Sequence, residues 1–169
     1  ADWVKAACVK GVPMGGDLAA AAEGQVPTFL VQARKDPDGA NLDRIQVVKG
    51  WLDAAGKTHE QVFDVSWSDA DKRPRGANGK VPSVGSSVNE REATYTNDIG
   101  ATTLTAHWSD PSFDPSQKAF YYVRVMEIPT PTWLAYDRKN FNLHDEMPAK
   151  APYTSQERAY TSPIWYNPS

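Results

Sequence analysis

The sequence contains little cysteine and no long apolar segment. Cys8 is the single cysteine among 169 residues, which excludes an internal disulfide bond and a zinc site built from several cysteines. The apolar runs extend over only a few residues, whereas a membrane-spanning helix needs about 20 consecutive apolar residues. We therefore expect no membrane span.

An excess of charge of one sign is also lacking. Eighteen Lys and Arg residues stand against 21 Asp and Glu residues, and the net charge is −3. Because nucleic-acid binding needs a basic patch or stripe, the sequence predicts no nucleic-acid partner. The one local basic cluster lies in the segment DADKRPRGANGK, which we interpret as an exposed, solvated turn that contains Lys72, Arg73, Arg75 and Lys80.

Catalytic and metal-binding motifs are missing as well. The three histidines, His59, His107 and His144, are far apart in the sequence, so a zinc site could form from them only through tertiary folding. We interpret His59 and His107 as solvated side chains. The chain has no Gly-x-Ser-x-Gly motif for a nucleophilic serine. The sequence therefore predicts no catalytic residue, no metal ligand and no cofactor in this chain.

What the sequence does contain is a β pattern. Hydrophobic residues make up 40% of the chain and charged residues 23%, as in soluble globular domains. Short β-branched and aromatic runs alternate with turn residues. They predict one β-rich domain over residues 1–169, with a short helix at Trp3–Val9 and strands at Thr28–Arg34, Arg44–Leu52, Gln61–Ser68, Ala93–Thr96, Thr102–Trp108 and Ala119–Ile128.

The arrangement of these runs favours an antiparallel β-sandwich with long Pro-rich loops and little helix. Alternation predicts a buried side and a wet side for most strands, with Asp64 on a wet side and both faces of Ala119–Ile128 covered. The segment 129–156, with four prolines, is predicted to wrap the surface without regular structure. Arg158–Tyr166 is then expected to return as a final strand.

A glycine-rich turn near the start gives the first candidate ligand site. Gly11, Gly15 and Gly16 precede Asp17, and successive backbone N–H groups of such a turn can form a nest for an anion. The turn could also present Asp17 to a cleft. The alternative is an ordinary loop, because the lysine of a phosphate-binding loop is missing.

Tryptophan supplies the other candidates. The chain has six, and an exposed indole ring can stack on a sugar ring. Trp67 and Trp108 alternate with polar residues and are predicted to point into the core. Trp51 and Trp133 are expected at strand ends or in loops, which makes them the candidates for contact with a ligand or another domain. Core or loop packing is the alternative for both.

Two acidic segments have structural alternatives. The segment DPDGANLD, residues 36–43, offers several oxygen ligands but departs from the spacing of a calcium loop, so a turn between strands is the simpler interpretation. Asp110 and Asp114 each precede a proline. We interpret them as capping residues of turns or helix starts rather than as a pair for acid-base chemistry.

Several of these segments occur together in one family. GVPMGGDL, DPDGANLDRIQVVKGW, VFDVSWSD, DPSFDPSQKAFYYVRVMEIPTPTW and QERAYTSPIWY resemble, in collinear order, the C-terminal portion of the bacterial domain-of-unknown-function 3604 family. The resemblance implies a longer parent protein related to metal-dependent hydrolases of the polymerase-and-histidinol-phosphatase (PHP) superfamily. It further implies a divalent metal held by His and Asp residues in an N-terminal part, and a periplasmic or secreted location.

Two function hypotheses follow. In the first, the chain is the C-terminal fragment of a larger protein and serves as an accessory β domain that packs on or completes an N-terminal hydrolase domain. This hypothesis expects an exposed apolar patch near the glycine-rich start or the RAYTSPIWY end. In the second, the chain is an autonomous binding module, for carbohydrate, and it needs a row of exposed aromatic side chains.

Overall fold

The computed structural model describes residues 3–22 and 24–168. Over these residues the chain forms two short helices and ten strands, so the predicted mostly-β fold is confirmed. The elements are α1 Trp3–Lys10, β1 Asp17–Leu18, β2 Thr28–Arg34, β3 Leu42–Leu52, β4 Thr58–Trp67, β5 Thr103–Ser109, β6 Ala119–Glu127, β7 Thr130–Pro131, α2 Trp133–Asn140, β8 Thr154–Ser155, β9 Arg158–Tyr160 and β10 Ile164–Tyr166.

Most strands belong to one large sheet. Its order is β1-β10-β6-β3-β4, and β9 pairs with β6 beside β10. The pairs of β6 with β3, β9 and β10 and the pair β3-β4 are antiparallel, whereas β1 and β10 run parallel. A small sheet contains β2 and β5, and β7 pairs with β8.

The two sheets pack in a sandwich-like manner around one core. Val47 and Tyr121 of the large sheet, 0% and 1% exposed, cluster with Phe29 and Leu104 of the small sheet. We call the face of the large sheet that carries Val47 and Tyr121 the inner face, and the opposite one the outer face. The predicted central position of β6 is confirmed, because it has strand neighbours on both sides.

Two strand predictions need correction. Residues 93–96 do not form a strand, since Ala93 adopts a positive φ of 48° and only an isolated bridge joins Asn89 to Thr94. The final strand is split into β9 and β10. The break lies at Pro163, which has no N–H to donate, while the hydroxyl of Thr161 accepts a hydrogen bond from the Val123 N–H at 3.0 Å.

The segment 129–156 is more ordered than its prolines suggest. It contains α2, whose single fully buried residue, Ala135, packs with Tyr153 and Ala93 in a second small cluster. The carbonyl oxygen of Thr132 accepts hydrogen bonds from the N–H groups of Ala135 and Tyr136 at the start of the helix. The prediction of a segment without regular structure is therefore wrong over residues 133–140.

Candidate functional site

The three predicted ligand residues lie in different parts of the fold. Asp17 is exposed on β1 at one edge of the large sheet. Trp51 lies near the end of β3, where its ring stacks on His59 at a centroid distance of 5.2 Å. Trp133 is the first residue of α2 and is 70% exposed. A role in ligand binding stays a prediction for each of them.

The glycine-rich turn before Asp17 is fastened to the rest of the sheet. The Gly15 N–H donates to the Pro163 carbonyl at 3.1 Å, and the Gly16 N–H donates to the Pro13 carbonyl at 3.0 Å. Gly15 has a φ of 89°, which suits a residue without Cβ. Because both N–H groups have backbone partners, neither is available to an anion, and the ordinary-loop interpretation fits the geometry.

An aromatic row crosses the outer face of the large sheet. It consists of Phe120 and Tyr122 on β6, Tyr160 on β9 and Trp165 on β10. The pair Trp165–Phe120 is in direct cross-strand register, and strand alternation turns Phe120 and Tyr122 away from the buried Tyr121. Tyr160 and Trp165 are 56% and 45% exposed.

The rings of the aromatic row form a continuous series. Phe120 and Tyr122 are nearly parallel, with centroids 6.4 Å apart and an interplanar angle of 10°. Trp165 lies 5.4 Å from Phe120, and Tyr160 lies 6.2 Å from Tyr122. These spacings are within the range of aromatic contacts that fix ring orientation. The sheet therefore presents a pre-ordered, partly solvent-exposed aromatic surface.

Gly50 of β3 gives Phe120 room to lie across the sheet. The two residues are cross-strand partners, and a Cβ at Gly50 would come within 2.3 Å of the Phe120 ring. A glycine within a strand weakens it but permits close approach. Beside this point, residues that include Trp51, Phe120 and Trp165 line a shallow, mainly apolar cleft of about 540 Å³. The aromatic row thus continues into a concave end.

The other end of the outer face carries a buried charge network. Asp43 accepts hydrogen bonds from Arg44 at 2.9 Å and from Arg73 at 2.6 Å. Asp64 accepts from Gln46 at 2.7 Å and from the Val81 N–H at 3.0 Å. All five side chains belong to residues that are buried or half-buried. Each charge has a partner, as buried charges require.

Two predictions about these residues are wrong. Arg73 was expected in a solvated turn, yet it is only 7% exposed, and Asp64, expected on a wet side, is also 7% exposed. The segment 73–82 folds over this end of the sheet, where its Pro82 carbonyl accepts hydrogen bonds from both Arg44 and Arg73. Lys72 remains solvated, with its side chain 83% exposed.

A second buried cluster lies in the core, between the sheets. The Lys49 Nζ is 2.6 Å from Asp110 Oδ2, and the Tyr121 hydroxyl donates to the same oxygen at 2.7 Å. Burial by itself raises the pKa of Asp110, but the hydrogen bonds from Lys49 and Tyr121 outweigh it, and the net pKa is lowered. Burial, followed by the hydrogen bond to Asp110, raises the pKa of Tyr121.

This cluster stabilises the core and leaves no room for a substrate. Asp110 is 2% exposed and Lys49 3% exposed, whereas an acid-base pair must reach the proton that it transfers. The predicted capping role is confirmed, because Asp110 accepts from the Ser112 N–H and Asp114 from the Ser116 N–H, both at 2.9 Å. The ion pair with Lys49 is an additional feature that sequence reasoning missed.

The remaining candidate ligands are dispersed. His59 is half-buried rather than fully solvated, and its Nε2 lies 2.7 Å from Asp53 Oδ2, while His107 is exposed on β5. Within residues 3–22 and 24–168, no group of three or more His, Cys, Asp or Glu side chains could hold a metal ion. In the same part of the chain, no helix is long and apolar enough to cross a membrane.

Sequence reasoning did not identify the aromatic row. Its only signal is that Phe120, Tyr122 and Arg124 alternate with buried residues of β6. The contributions of Tyr160 and Trp165 depend on strand register across about 40 residues, which a single sequence does not reveal. The row was therefore accessible only from the pairing of β6 with β9 and β10.

These features define a sandwich-like β domain with an aromatic sheet face and a buried charge network. The chain belongs to the family described as "Protein of unknown function (DUF3604)", whose model matches residues 1–168. The family resemblance is thereby confirmed, whereas the relation to PHP-superfamily hydrolases stays a prediction. No match to the chain was found among the curated proteins or among the solved structures.

Proposed function

We propose that the chain is an accessory β domain that packs against the N-terminal domain of the same protein and has no catalytic site of its own. One observation carries this proposal: the apolar space between the two sheets opens to the surface beside β2. We call this opening the docking cleft, which has a volume of about 470 Å³ and is lined by residues that include Met14, Leu18, Phe29, Val31, Tyr121 and Ile164.

The docking cleft arises because the small sheet is too narrow to cover the inner face. Within residues 3–22 and 24–168, β2 and β5 alone form that sheet, while the large sheet has six strands. The floor of the cleft includes Val47 and Tyr121, which are already buried, at 0% and 1% exposure. Met14 and Leu30, 65% and 41% exposed, also line it. Covering Met14 and Leu30 would remove further apolar area from water, which favours association.

The edge of β2 supplies a second contact. Among the described residues β2 pairs with β5 alone, so alternate N–H and C=O groups along its other edge have no strand partner. Residues 28–32 of this strand line the cleft. Native proteins usually protect such edges with Pro, Lys or a covering segment. The strand sequence TFLVQAR contains neither Pro nor Lys. A strand of a partner domain could therefore extend the small sheet.

The proposed occupant is the N-terminal domain that the family resemblance implies. That domain, rather than this chain, would hold the divalent metal and carry out hydrolysis, in the periplasm or outside the cell. The accessory domain would fix or shape the active-site cleft of that N-terminal domain. Gly11, Pro13 and Met14 of the glycine-rich start line the docking cleft. The accessory-domain hypothesis expects an exposed apolar patch at this start.

Calorimetry of the complete protein tests the docking. If the two domains pack together, the wild type should unfold in one transition, and Met14→Asp combined with Leu30→Asp should split it into two, because buried unpaired carboxylates oppose docking. Phe141→Asp is the matched control, since Phe141 is 69% exposed at the end of α2. Two transitions in the wild type, or equal effects of both sets of variants, would contradict the proposal.

A second candidate function is favoured by the aromatic row. Phe120 and Tyr122 present nearly parallel rings beside the exposed Tyr160 and Trp165, and this is the arrangement that the carbohydrate-binding hypothesis needs. An apolar face of a sugar ring can stack on such rings. Binding of oligosaccharides by the chain, measured by calorimetry, should fall at least tenfold in Tyr160→Ala. Unchanged affinity in that variant would exclude the row as the binding surface.

A further inference from the structure

We propose that the ligand of the aromatic row is an acidic saccharide, whose carboxylate or sulfate group is held by Arg124 and Arg158. This inference rests on the second candidate function and specifies its ligand class. The row ends at these two arginines. Arg124 is the cross-strand partner of Tyr160, and Arg158 is the partner of Met126 on β6.

The distance between the aromatic rings and the two arginines suits a ligand that contacts both. Residues two apart on a strand lie on the same face, about 7 Å from each other. Tyr122 and Arg124 are related in this way on β6, as are Tyr160 and Arg158 on β9. A sugar unit over Tyr122 and Tyr160 would therefore place its neighbouring unit, or its own acidic substituent, near the two guanidinium groups.

The charge balance leaves these two arginines without a counter-ion. Asp43 is paired with Arg44 and Arg73, and Asp64 is paired with Arg44. Among the described residues, neither Arg124 nor Arg158 has a carboxylate within ion-pair distance. This end of the outer face therefore has two uncompensated positive charges, although the whole chain has a net charge of −3.

Nearby carboxylates do not fill this role. Glu157 directly precedes Arg158, but among the described residues it forms no ion pair with either arginine. Its charge instead acts on Glu127, whose pKa is raised first by burial and then by the charges of Glu157 and Asp36. Asp43 does line the same cavity as the two arginines, but its carboxylate is already paired with Arg44 and Arg73.

A built cavity receives the anionic group. Arg124 and Arg158 line a polar cavity of about 290 Å³, together with Asp43, Arg44, Gln46, Ser83, Met126 and Gln156. Gln46 fixes one arginine in place, because its Oε1 accepts from Arg124 Nε at 2.7 Å while its Nε2 donates to Asp64 at 2.7 Å. The two Nη groups of Arg124 have no hydrogen-bond partner in the part of the chain that the structure describes. They are available for a planar carboxylate or a sulfate, which guanidinium groups bind bidentately.

The adjoining aromatic rings narrow the ligand class. A free inorganic anion gains nothing from Tyr122 and Tyr160, whereas a uronic acid or a sulfated sugar has both an apolar ring face and a charged group. A single-stranded nucleic acid could also stack on aromatic side chains. Two uncompensated arginines on an acidic chain favour the saccharide, since nucleic acids bind to extended basic surfaces.

Titration calorimetry of the chain tests this proposal with four probes. They are an oligogalacturonate, a sulfated oligosaccharide, a neutral oligosaccharide of equal length and a single-stranded oligonucleotide. We expect at least tenfold tighter binding of one acidic saccharide than of the neutral one, and the two acidic probes distinguish carboxylate from sulfate. Arg158→Gln should remove this preference and leave neutral binding unchanged, while Tyr160→Ala should weaken both.

The controls separate the possible failures. Arg158 makes no side-chain hydrogen bond within the described residues, so Arg158→Gln should melt like the wild type. Arg91→Gln alters an exposed arginine elsewhere and should leave binding intact. Equal affinity for neutral and acidic saccharides would overturn the proposed preference for an acidic ligand, but it would still support carbohydrate binding by the aromatic row. Failure to bind any saccharide would overturn both, and preference for the oligonucleotide would overturn the ligand class.

Discussion

The two ends of the outer sheet face are built differently. At the charged end, the segment 73–82 covers the strands, and Arg44, Asp43 and Asp64 each have hydrogen-bond partners within the fold. At the aromatic end, Tyr160 and Trp165 remain about half exposed. Satisfied, buried groups stabilise a fold, whereas ordered but exposed aromatic groups are available to a partner. The paired groups of the first end therefore contribute stability, whereas the exposed rings of the second end, and Arg124 and Arg158 between the two, are free for binding.

The largest expected effect is at the charged end. Asp43→Ala would leave Arg73 and Arg44 without their shared carboxylate in a buried site, and we expect the free energy of unfolding to fall by about 3–5 kcal/mol. Urea denaturation followed by tryptophan fluorescence measures this change. A loss of less than about 1 kcal/mol, the typical value for exposed ion pairs, would show that the network is solvated.

Gly50→Ala should have the next largest effect, and it acts at the aromatic end. The new methyl group would collide with the Phe120 ring at 2.3 Å, and overpacking of this kind costs about 1–3 kcal/mol. The same variant in a Phe120→Ala background should be nearly neutral, because the collision partner is removed. Equal destabilisation in both backgrounds would attribute the effect to the strand itself.

The core ion pair predicts a pH dependence. The folded-state pKa of Asp110 is lowered, so its contribution to stability is present above the usual pKa near 4 and is lost as the pH falls through the lowered value. Urea denaturation between pH 5 and about pH 2 should therefore show a decline in stability that is shallower in Asp110→Asn. Parallel declines in the two proteins would show that other carboxylates cause it.

The smallest effect on stability is expected for the exposed rings. Tyr160 is 56% exposed and its ring contacts that of Tyr122, and surface substitutions usually change stability by less than about 0.5 kcal/mol. Tyr160→Ala should therefore unfold like the wild type in urea while it loses ligand binding. A large destabilisation would mean that the aromatic row belongs to the core, and it would remove the contrast between the two ends.

The local sequence pattern was sufficient to predict much of the fold. The bounds of β2 match the prediction, and the alternation of Leu104, Ala106 and Trp108 places them on the inner side of β5, as expected. The failures involve long-range contacts. Arg73 meets Asp43 across 30 residues, and no local pattern marks such a pair. Helix α2 buries a single residue fully, Ala135. Its sequence therefore has little amphipathic character, and the apolar pattern does not predict a helix.

The candidate surfaces show the same limit. Trp51 and Trp133 were selected as tryptophans at strand ends or loops, yet the ordered row uses Trp165 with Phe120, Tyr122 and Tyr160. The number of tryptophans in the sequence made aromatic residues the candidates for ligand contact, and their binding role stays a prediction. The register of β6 with β9 and β10, and the bare edge of β2, come from strand pairing, which one sequence does not determine.

Amide hydrogen exchange along β2 tests the central claim most directly. It compares the complete protein with the 169-residue chain alone, over residues 28–34. If an N-terminal domain covers the docking cleft and pairs with this strand, the alternate amides on its free edge should exchange at least tenfold more slowly in the complete protein, while those of α2 should not change. Equal exchange of β2 in the two proteins would contradict the accessory-domain proposal.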